Sequence, residues 1–363
     1  MRPEAREAAD AGSAIRRHRR RDAVTALVGT WLTGGLFLDG WAHNNLASLE
    51  SFFTPWHAVF YSGFAACAAW ILYVALRDRA PGRSWRETVP PGYGLAVAGI
   101  TVFALSGIGD LTWHTIFGIE RGIAALLSPT HLGLITGAFL VVTTPFRAAV
   151  ADGLIPRSGG WRLLGPVVAS MSLAGLVLAF IFQNVAQFSQ NQFVSLGIGR
   201  DIAAFPHIPG LVEWHTDALV YAFLIDSLFL FGPWLILARS YRPPRFSLLL
   251  LITVQVILLQ AIRGFSDPGL IAGALISGLV AEGLVFVLAP GPDAYRRLRL
   301  AAFLLPIVFW LVYLGLMASH DHGLGVKPEI WGGAVLWSGL MLLALTVLAT
   351  ATVTSARTTL RDV

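Results

Sequence analysis

Charged side chains are scarce in this sequence, and cysteine is almost absent. Asp, Glu, Lys and Arg make up 13% of the 363 residues, while hydrophobic residues make up 55%. No segment is polar and long enough to form an independent soluble domain, so an ordinary soluble protein is excluded. The single cysteine, Cys67, excludes an intramolecular disulfide and argues against a metal site built from thiolates.

Apolar runs near the length of about 20 residues that crosses a bilayer recur along the whole chain. We therefore predict an all-α, polytopic integral membrane protein with about ten transmembrane helices. No cleavable signal peptide is expected, because the first apolar run is too long and lacks a small-residue cleavage site. The predicted spans are 23–43, 55–76, 92–117, 129–146, 163–188, 216–238, 246–263, 270–290, 300–319 and 330–352.

Basic residues set the predicted orientation in the plasma membrane. With the N terminus in the cytoplasm, 22 of the 26 Lys and Arg residues fall inside, and the other four lie outside at Arg121, Arg200, Arg263 and Lys327. Because cytoplasmic loops are enriched in Lys and Arg, both termini are predicted to be cytoplasmic. The basic excess then reflects topology and attraction to anionic lipid, and it does not require nucleic-acid binding. His18 is the one histidine expected on the cytoplasmic side.

The predicted organisation has two membrane regions between two cytoplasmic tails. The first region contains four helices that form two repeated hairpins, and the second contains six helices. The ranges are 1–22 for the basic N-terminal tail, 23–146 and 147–352 for the two regions, 189–215 for a long outer loop in the second region, and 353–363 for the C-terminal tail.

A duplicated polar motif is the most informative pattern in the chain. An Asp-x3-His element is followed by a Thr/Ser-Pro-x-His element, and the pattern recurs with the same internal order. The Asp and the first His lie one turn apart on one helix face. A hydroxyl residue followed by Pro predicts a helix start, so the second His falls in the first turn of the next helix. The trios are Asp39, His43 and His57 in the first copy, and Asp110, His114 and His131 in the second.

Each trio is a ligand set suited to a transition metal. Imidazole and carboxylate without thiolate favour copper, with zinc as the alternative. Three protein ligands leave a coordination position for water, dioxygen or substrate. Isolated polar residues at helix ends would be explained by the membrane interface alone, but a duplicated trio favours metal binding because ionisable groups within membranes are costly. We predict that both trios lie on the extracytoplasmic side and face one another, and no separate catalytic residue is identified.

Other polar residues are candidates to complete a site or to hydrogen-bond its ligands. Hydrated interfacial loops are the competing interpretation for most of them. The candidates are Glu50, Glu120, His207, Glu213, His215, Asp217, His320 and His322. Two carboxylates within predicted helices, Asp226 and Glu282, are expected to serve either a proton path or a static ion pair.

The first copy of the motif resembles part of the metal-site membrane subunit of the copper membrane monooxygenases (particulate methane and ammonia monooxygenases). The resemblance lies in Asp39-Gly-Trp-Ala-His43, in Phe-Thr-Pro-Trp-His57 and in the pair Phe60-Tyr61. The second copy is similar to the second metal motif of that subunit, although Asp110 stands where the family usually has Asn. The resemblance covers about residues 23–145. It implies copper at the first trio and a second metal position at the second. That family oxidises methane, ammonia and short alkanes, and its enzyme contains two partner subunits, one with soluble copper-binding domains.

Two functions from different classes remain open on the sequence. The leading hypothesis is a copper-dependent membrane oxidoreductase, similar to a monooxygenase, that oxidises a small apolar substrate with dioxygen. The alternative is an extracytoplasmic copper or zinc handling protein, such as a permease, chaperone or assembly factor. A structural subunit whose sites have lost function is a third hypothesis, against which the intact trios argue. Expected partners are the lipid bilayer and, for the first hypothesis, other membrane subunits or a soluble copper-domain protein.

Overall fold

The described residues fold predominantly into α-helices. A computed structural model describes residues 3–46, 52–77, 82, 84–118, 123–189, 211–320, 324 and 326–359. The helices are α1 (Pro3–Asn45), α2 (Pro55–Leu76), α3 (Trp85–Thr88), α4 (Gly94–Phe117), α5 (Ile123–Leu127), α6 (Pro129–Val142), α7 (Thr144–Asp152), α8 (Gly160–Ile181), α9 (Leu211–Ser240), α10 (Ser247–Ile262), α11 (Pro268–Leu288), α12 (Tyr295–His320) and α13 (Pro328–Thr359).

Within the described residues, nine stretches are helical, long and apolar enough to cross a membrane. A further apolar helix, α10, is shorter and coincides with the predicted span 246–263. The chain is therefore an all-α, polytopic membrane protein, as its composition predicts. The nine stretches are Asp10–Asn45, Pro55–Leu76, Gly94–Phe117, Pro129–Asp152, Gly160–Ile181, Asp217–Ser240, Pro268–Leu288, Tyr295–His320 and Pro328–Ala351.

Several predicted boundaries differ from the structure. The segment predicted as a C-terminal tail at 353–363 is helical up to Thr359, because α13 continues beyond the predicted span 330–352. The first helix begins at Pro3, so the arginine-rich segment predicted as a tail at 1–22 extends the first membrane helix. Arginine is a good helix former, and the segment contains no proline after its first residues to stop the helix. The helix predicted at 163–188 ends at Ile181, and the residues that follow it up to Ser189 form turns.

The chain forms two compact units, unit 1 at Met1–Ile181 and unit 2 at Phe182–Val363. In unit 1, α1 packs against α2, and α4 packs against α6. These pairs are the two hairpins that the repeated motif predicts. Unit 1 extends beyond the predicted 23–146, because α8 packs against α1, α6 and α7.

Glycines at equivalent positions let the two helices of each hairpin approach closely. A Cβ on Gly63 of α2 would lie 2.7 Å from the Cα of Leu32 in α1. A Cβ on Gly137 of α6 would lie 2.7 Å from the Cβ of Phe103 in α4. Leu32 and Phe103 precede the aspartates of their respective motifs by the same number of residues. The two glycines likewise follow the second histidines of their motifs by the same number of residues. The sequence repeat is therefore also a repeat of helix packing, of the small-residue type common in membranes.

Unit 2 buries two carboxylates that accept hydrogen bonds from the backbone. Glu282 of α11 accepts from the amide of Phe246 at 2.7 Å and from that of Leu249 at 3.1 Å, where α10 begins. Asp226 of α9 accepts from the amide of Gln187 at 2.8 Å. Because unpaired amides at helix starts and in buried turns are costly, these contacts favour a structural role for both carboxylates.

Candidate metal centre

Two helix N termini position the second histidine of each trio. Thr54 is the N-cap of α2 and Ser128 is the N-cap of α6, and a proline follows each cap. The Thr54 hydroxyl accepts from the amide of His57 at 3.1 Å, and the Ser128 hydroxyl accepts from the amide of His131 at 3.3 Å. The helix starts predicted from Thr-Pro and Ser-Pro are confirmed.

The same two hydroxyls also hold the imidazole rings. Nδ1 of His57 lies 2.9 Å from Oγ1 of Thr54, and Nδ1 of His131 lies 2.7 Å from Oγ of Ser128. The Thr/Ser-x-x-His spacing is that of a capping box, with His in the place of Glu. A partner on one ring nitrogen orients the ring and determines which nitrogen can bind a metal. In both helices Nε2 is therefore the nitrogen directed at the aspartate.

The first trio, Asp39, His43 and His57, converges where α1 ends and α2 begins. Oδ2 of Asp39 lies 3.8 Å from Nε2 of His43 and 3.7 Å from Nε2 of His57. One donor atom from each of the three residues lies within 4.8 Å of the others. Oδ1 of Asp39 is buried and has no hydrogen-bond partner among the described residues. The first trio thus presents two imidazole nitrogens and a carboxylate to one point.

The second trio, Asp110, His114 and His131, has the same arrangement between α4 and α6. Oδ1 of Asp110 lies 3.4 Å from Nε2 of His114 and 3.0 Å from Nε2 of His131. Nδ1 of His114 lies 3.2 Å from the carbonyl oxygen of Gly118, where its N–H can donate. Nε2 of His114 is buried and lacks a hydrogen bond within the described part of the chain. Both rings again direct Nε2 toward the carboxylate.

These separations suit a metal ion better than a set of hydrogen bonds. Hydrogen bonds between N and O usually span about 2.7–3.2 Å, and three of the four contacts to the carboxylates are longer. Two ligands at about 2.1 Å from one tetrahedral metal lie roughly 3.4 Å apart. A buried polar atom without a partner, such as Nε2 of His114 or Oδ1 of Asp39, requires an explanation. A metal ion held by each trio would supply that partner, so the residues fit such an ion.

The charges of the two trios are also compatible with a bound cation. The ionic contacts of Asp39 and Asp110 within the described residues are with histidines, and none is with Lys or Arg. Asp110 is only 1% exposed. Carboxylates inside a membrane protein need a positive partner or a proton. A divalent or monovalent metal cation would provide the charge that the protein itself does not.

The two trios are neighbours. The ring centroids of His57 and His114, which belong to different trios, are 6.5 Å apart. Phe52 lies beside both rings, with its centroid 5.0 Å from that of His57 and 6.1 Å from that of His114. The two trios therefore approach one another as the repeated hairpins predict.

Tyr61 and Thr130 contact the second trio, although the duplicated motif does not include them. The Tyr61 hydroxyl donates to Oδ2 of Asp110 at 3.1 Å, and the Thr130 hydroxyl donates to Oδ1 at 3.3 Å. Tyr61 follows His57 by one helical turn in α2, so its hydroxyl links the first hairpin to the second. Two features of the sequence point to these residues. Tyr61 belongs to the Phe60-Tyr61 pair that forms part of the family resemblance, and Thr130 is the residue x of the second Ser-Pro-x-His element.

The remaining candidates do not extend either trio within the described residues. Asp217 is exposed in α9, and His320 is exposed at the end of α12 beside Gly269. Among the described residues, only the two trios bring three donors together. The backbones of two candidates lie in α9, but their side chains are outside the described part of the structure: Glu213 and His215. Four candidates lie outside the described residues altogether: Glu50, Glu120, His207 and His322.

Comparison with protein families, curated proteins and solved structures finds no match to this chain. The geometry of the two trios is therefore the main guide to its function.

Proposed function

We propose that unit 1 is a membrane-embedded copper centre, in a protein that oxidises a small apolar substrate with dioxygen. The observation that supports the proposal best is the paired convergence of His, His and Asp, with Nδ1 of three of the four rings facing a protein oxygen. Those contacts lie at the N-cap hydroxyls for His57 and His131 and at a backbone carbonyl for His114. Protein contacts of this kind commonly orient metal-binding histidines.

Copper is favoured over other metals by the donor set. Imidazole with carboxylate suits copper and zinc, whereas sites made only of oxygen suit magnesium or calcium. Cys67 is fully buried in α2 and belongs to neither trio. When bound, copper would supply the one-electron chemistry that dioxygen activation needs. The chain's own residues would hold the metal, neutralise its charge and exclude water from it.

The surroundings of the trios favour an apolar substrate. Exposed apolar side chains lie on the helices that end near the second trio, including Ile116 at 65%, Phe117 at 66% and Leu127 at 52%. In a bilayer such side chains contact lipid, where a small hydrocarbon dissolves. Phe52 and Tyr61 cover His57 from within unit 1. A substrate dissolved in the membrane would thus reach the trios without crossing an aqueous phase.

The resemblance to the metal-site membrane subunit of the copper membrane monooxygenases supports the same proposal through the quoted motifs. It also leads us to propose partner subunits, including one with a soluble copper-binding domain. The predicted orientation would place the trios on the extracytoplasmic side of the plasma membrane. Consistent with this, His18 and His43 belong to one helix and are separated by 25 residues, roughly 37 Å of axial rise. The basic end of α1 and the first trio are therefore about one bilayer thickness apart.

Metal handling is the second candidate function, and one observation favours it. The first trio is looser and more open than a tightly closed site, with 3.7–3.8 Å between donors and side-chain exposures of 14% for Asp39 and 22% for His43. An open site exchanges its metal readily, as a copper or zinc chaperone or permease requires.

The two functions are separated by metal analysis combined with dioxygen consumption. The full chain, purified in detergent, is loaded with copper or with zinc, dialysed, and supplied with a reductant and a short alkane. An oxidoreductase retains copper and consumes dioxygen faster with the alkane present. A handling protein binds and exchanges copper or zinc without dioxygen consumption. Binding of neither metal, measured before dialysis, would contradict both proposals.

A further inference from the structure

The four histidines of the two trios form one continuous row. The ring centroids of His43 and His57 are 5.6 Å apart, those of His57 and His114 are 6.5 Å apart, and those of His114 and His131 are 5.6 Å apart. The step between the trios is therefore only slightly longer than the steps within them. The two rings at the ends of the row are partly exposed, whereas the two inner rings are buried.

The two ends of the row have different surroundings. His43 is followed by Asn44, an exposed polar residue near the end of α1. His131 is followed by Leu132, which is 40% exposed, and Leu127 just before the N-cap of α6 is 52% exposed. Leu132 belongs to a stretch that is apolar and long enough to cross a membrane. Because a cation is costly to bring through lipid, an ion from the aqueous phase reaches the row at the His43 end.

Every ligand of the second trio is held by a protein partner. Asp110 accepts hydrogen bonds from the hydroxyls of Tyr61 and Thr130. Nδ1 of His114 faces a backbone carbonyl, and Nδ1 of His131 faces the N-cap hydroxyl of α6. Ligands that are already ordered lose little freedom when a metal binds, so the second trio is arranged to retain an ion.

Two of the three ligands in the first trio are held less firmly. Nδ1 of His43 makes no hydrogen bond within the described residues, and Oδ1 of Asp39 has no partner there either. The contacts of the carboxylate with the imidazoles are 3.7–3.8 Å in this trio, against 3.0–3.4 Å in the second. Asp39 is also the more accessible carboxylate, with 14% of its side chain exposed against 1% for Asp110. The first trio is thus arranged to capture an ion and to release it.

We propose that the row of histidines is a path for a metal ion, which the first trio captures and passes through His57 and His114 to the second trio. This inference rests on the proposed metal centre and adds the order in which its two sites fill. The transfer is an exchange of ligands: a bond from the ion to His114 forms as its bond to a ligand of the first trio breaks. The oxidation state of the ion does not change, and no co-reactant is consumed. A second ion then occupies the first trio.

The rate of copper uptake tests the path in the full chain purified in detergent. His43→Ala leaves the second trio complete, and the mirror variant His114→Ala leaves the first trio complete. Because an accessible carboxylate site raises the association rate of a cation by about 10–10³-fold, His43→Ala should load its remaining ion about tenfold or more slowly than wild type loads either ion. Its copper affinity at equilibrium should stay that of the second trio. His114→Ala should load its remaining ion as fast as wild type loads its first.

Asp39→Asn, which keeps the size of the side chain, should show the same slow uptake as His43→Ala. An unchanged thermal unfolding temperature in this variant separates loss of capture from loss of folding. If both single-trio variants load their remaining ion at the wild-type rate, the trios fill independently and the proposal is overturned.

A second measurement follows two stable copper isotopes in the wild type. One equivalent of the first isotope is added, then one equivalent of the second, and a brief treatment with a chelator removes the ion from the looser trio. The path predicts that the second isotope is removed and the first is retained. Removal of the first isotope, or of both equally, would contradict it, and absence of copper binding would contradict the metal centre as well. Neither measurement involves dioxygen, so failure of the path is distinguished from failure of the proposed oxidation.

Discussion

The hydroxyl of Tyr61 donates a hydrogen bond to Oδ2 of Asp110 across 3.1 Å, from the first hairpin to the aspartate of the second trio. Tyr61 is in the same helix as His57, which contributes to the first trio. A single side chain therefore connects the two candidate metal sites. This contact distinguishes the two trios chemically, because Oδ1 of Asp39 has no such donor among the described residues.

Tyr61→Phe should weaken metal binding at the second trio more than at the first. Loss of a hydrogen bond to a metal ligand typically lowers affinity by about 10–100-fold. Competition with a copper chelator measures the copper affinities of the two trios. In the variant the affinity of the second trio should fall while that of the first changes less. Tyr73→Phe, on an exposed face of the same helix, is the control and should leave both affinities unchanged. Equal weakening at both sites would show that Tyr61 acts on the unit as a whole.

Thr54→Val should disrupt both the start of α2 and the orientation of His57. Loss of an N-cap costs about 0.5–2 kcal/mol of stability, and loss of the Nδ1 partner should lower copper affinity at the first trio by about tenfold or more. Thr54→Ser retains the hydroxyl and should restore both properties. The measurements are the free energy of unfolding and a copper titration. A Thr54→Val protein with unchanged copper affinity would exclude the hydroxyl as the partner that orients the ring.

The same comparison at the second trio uses Ser128→Ala and Ser128→Thr. The alanine variant should lose affinity at the second trio and the threonine variant should keep it, because Ser128 holds His131 as Thr54 holds His57. The measurement is again a copper titration. If copper affinity fell on loss of the hydroxyl at one cap but not at the other, the two hairpins would share their helix packing and not the way in which they orient the ligands.

Gly63→Ala and Gly137→Ala should destabilise unit 1 by about 1–3 kcal/mol each. The added methyl group would lie 2.7 Å from an atom of the partner helix in both hairpins, so the helices must separate. Gly34→Ala in α1 is the control, since a Cβ there has no neighbour within 4 Å. It should be neutral or stabilising, because alanine is the better helix former. Thermal unfolding of wild type and the three variants measures the difference, and similar unfolding temperatures in all of them would contradict the close packing.

Particular residues show how much the sequence could predict. Thr54-Pro and Ser128-Pro predicted both helix starts, because capping depends on neighbours in the chain. The trios were predictable because their spacing repeats. The contact between Tyr61 and Asp110 was not, since it joins two hairpins whose relative rotation no local pattern determines. His18 is the clearest difference: its arginine-rich neighbours predict an exposed tail, but Asp152, distant in sequence, buries it.

The burial of His18 also changes the choice of control for the metal site. His18 and Arg21 both pair with the buried Asp22 and with Asp152. Replacing His18 would remove one of these two partners, so His18→Ala is expected to destabilise unit 1 rather than to be silent. His320, exposed at the end of α12, is the better control histidine.

Metal stoichiometry after loading and dialysis tests the central claim most directly. The proteins compared are wild type, His43→Ala, His114→Ala and His320→Ala. The wild type and His320→Ala should retain two metal ions per chain, one for each trio, whereas His43→Ala and His114→Ala should each lose one. The same stoichiometry in all four proteins would show that these histidines are polar helix-end residues and that neither trio is a metal site.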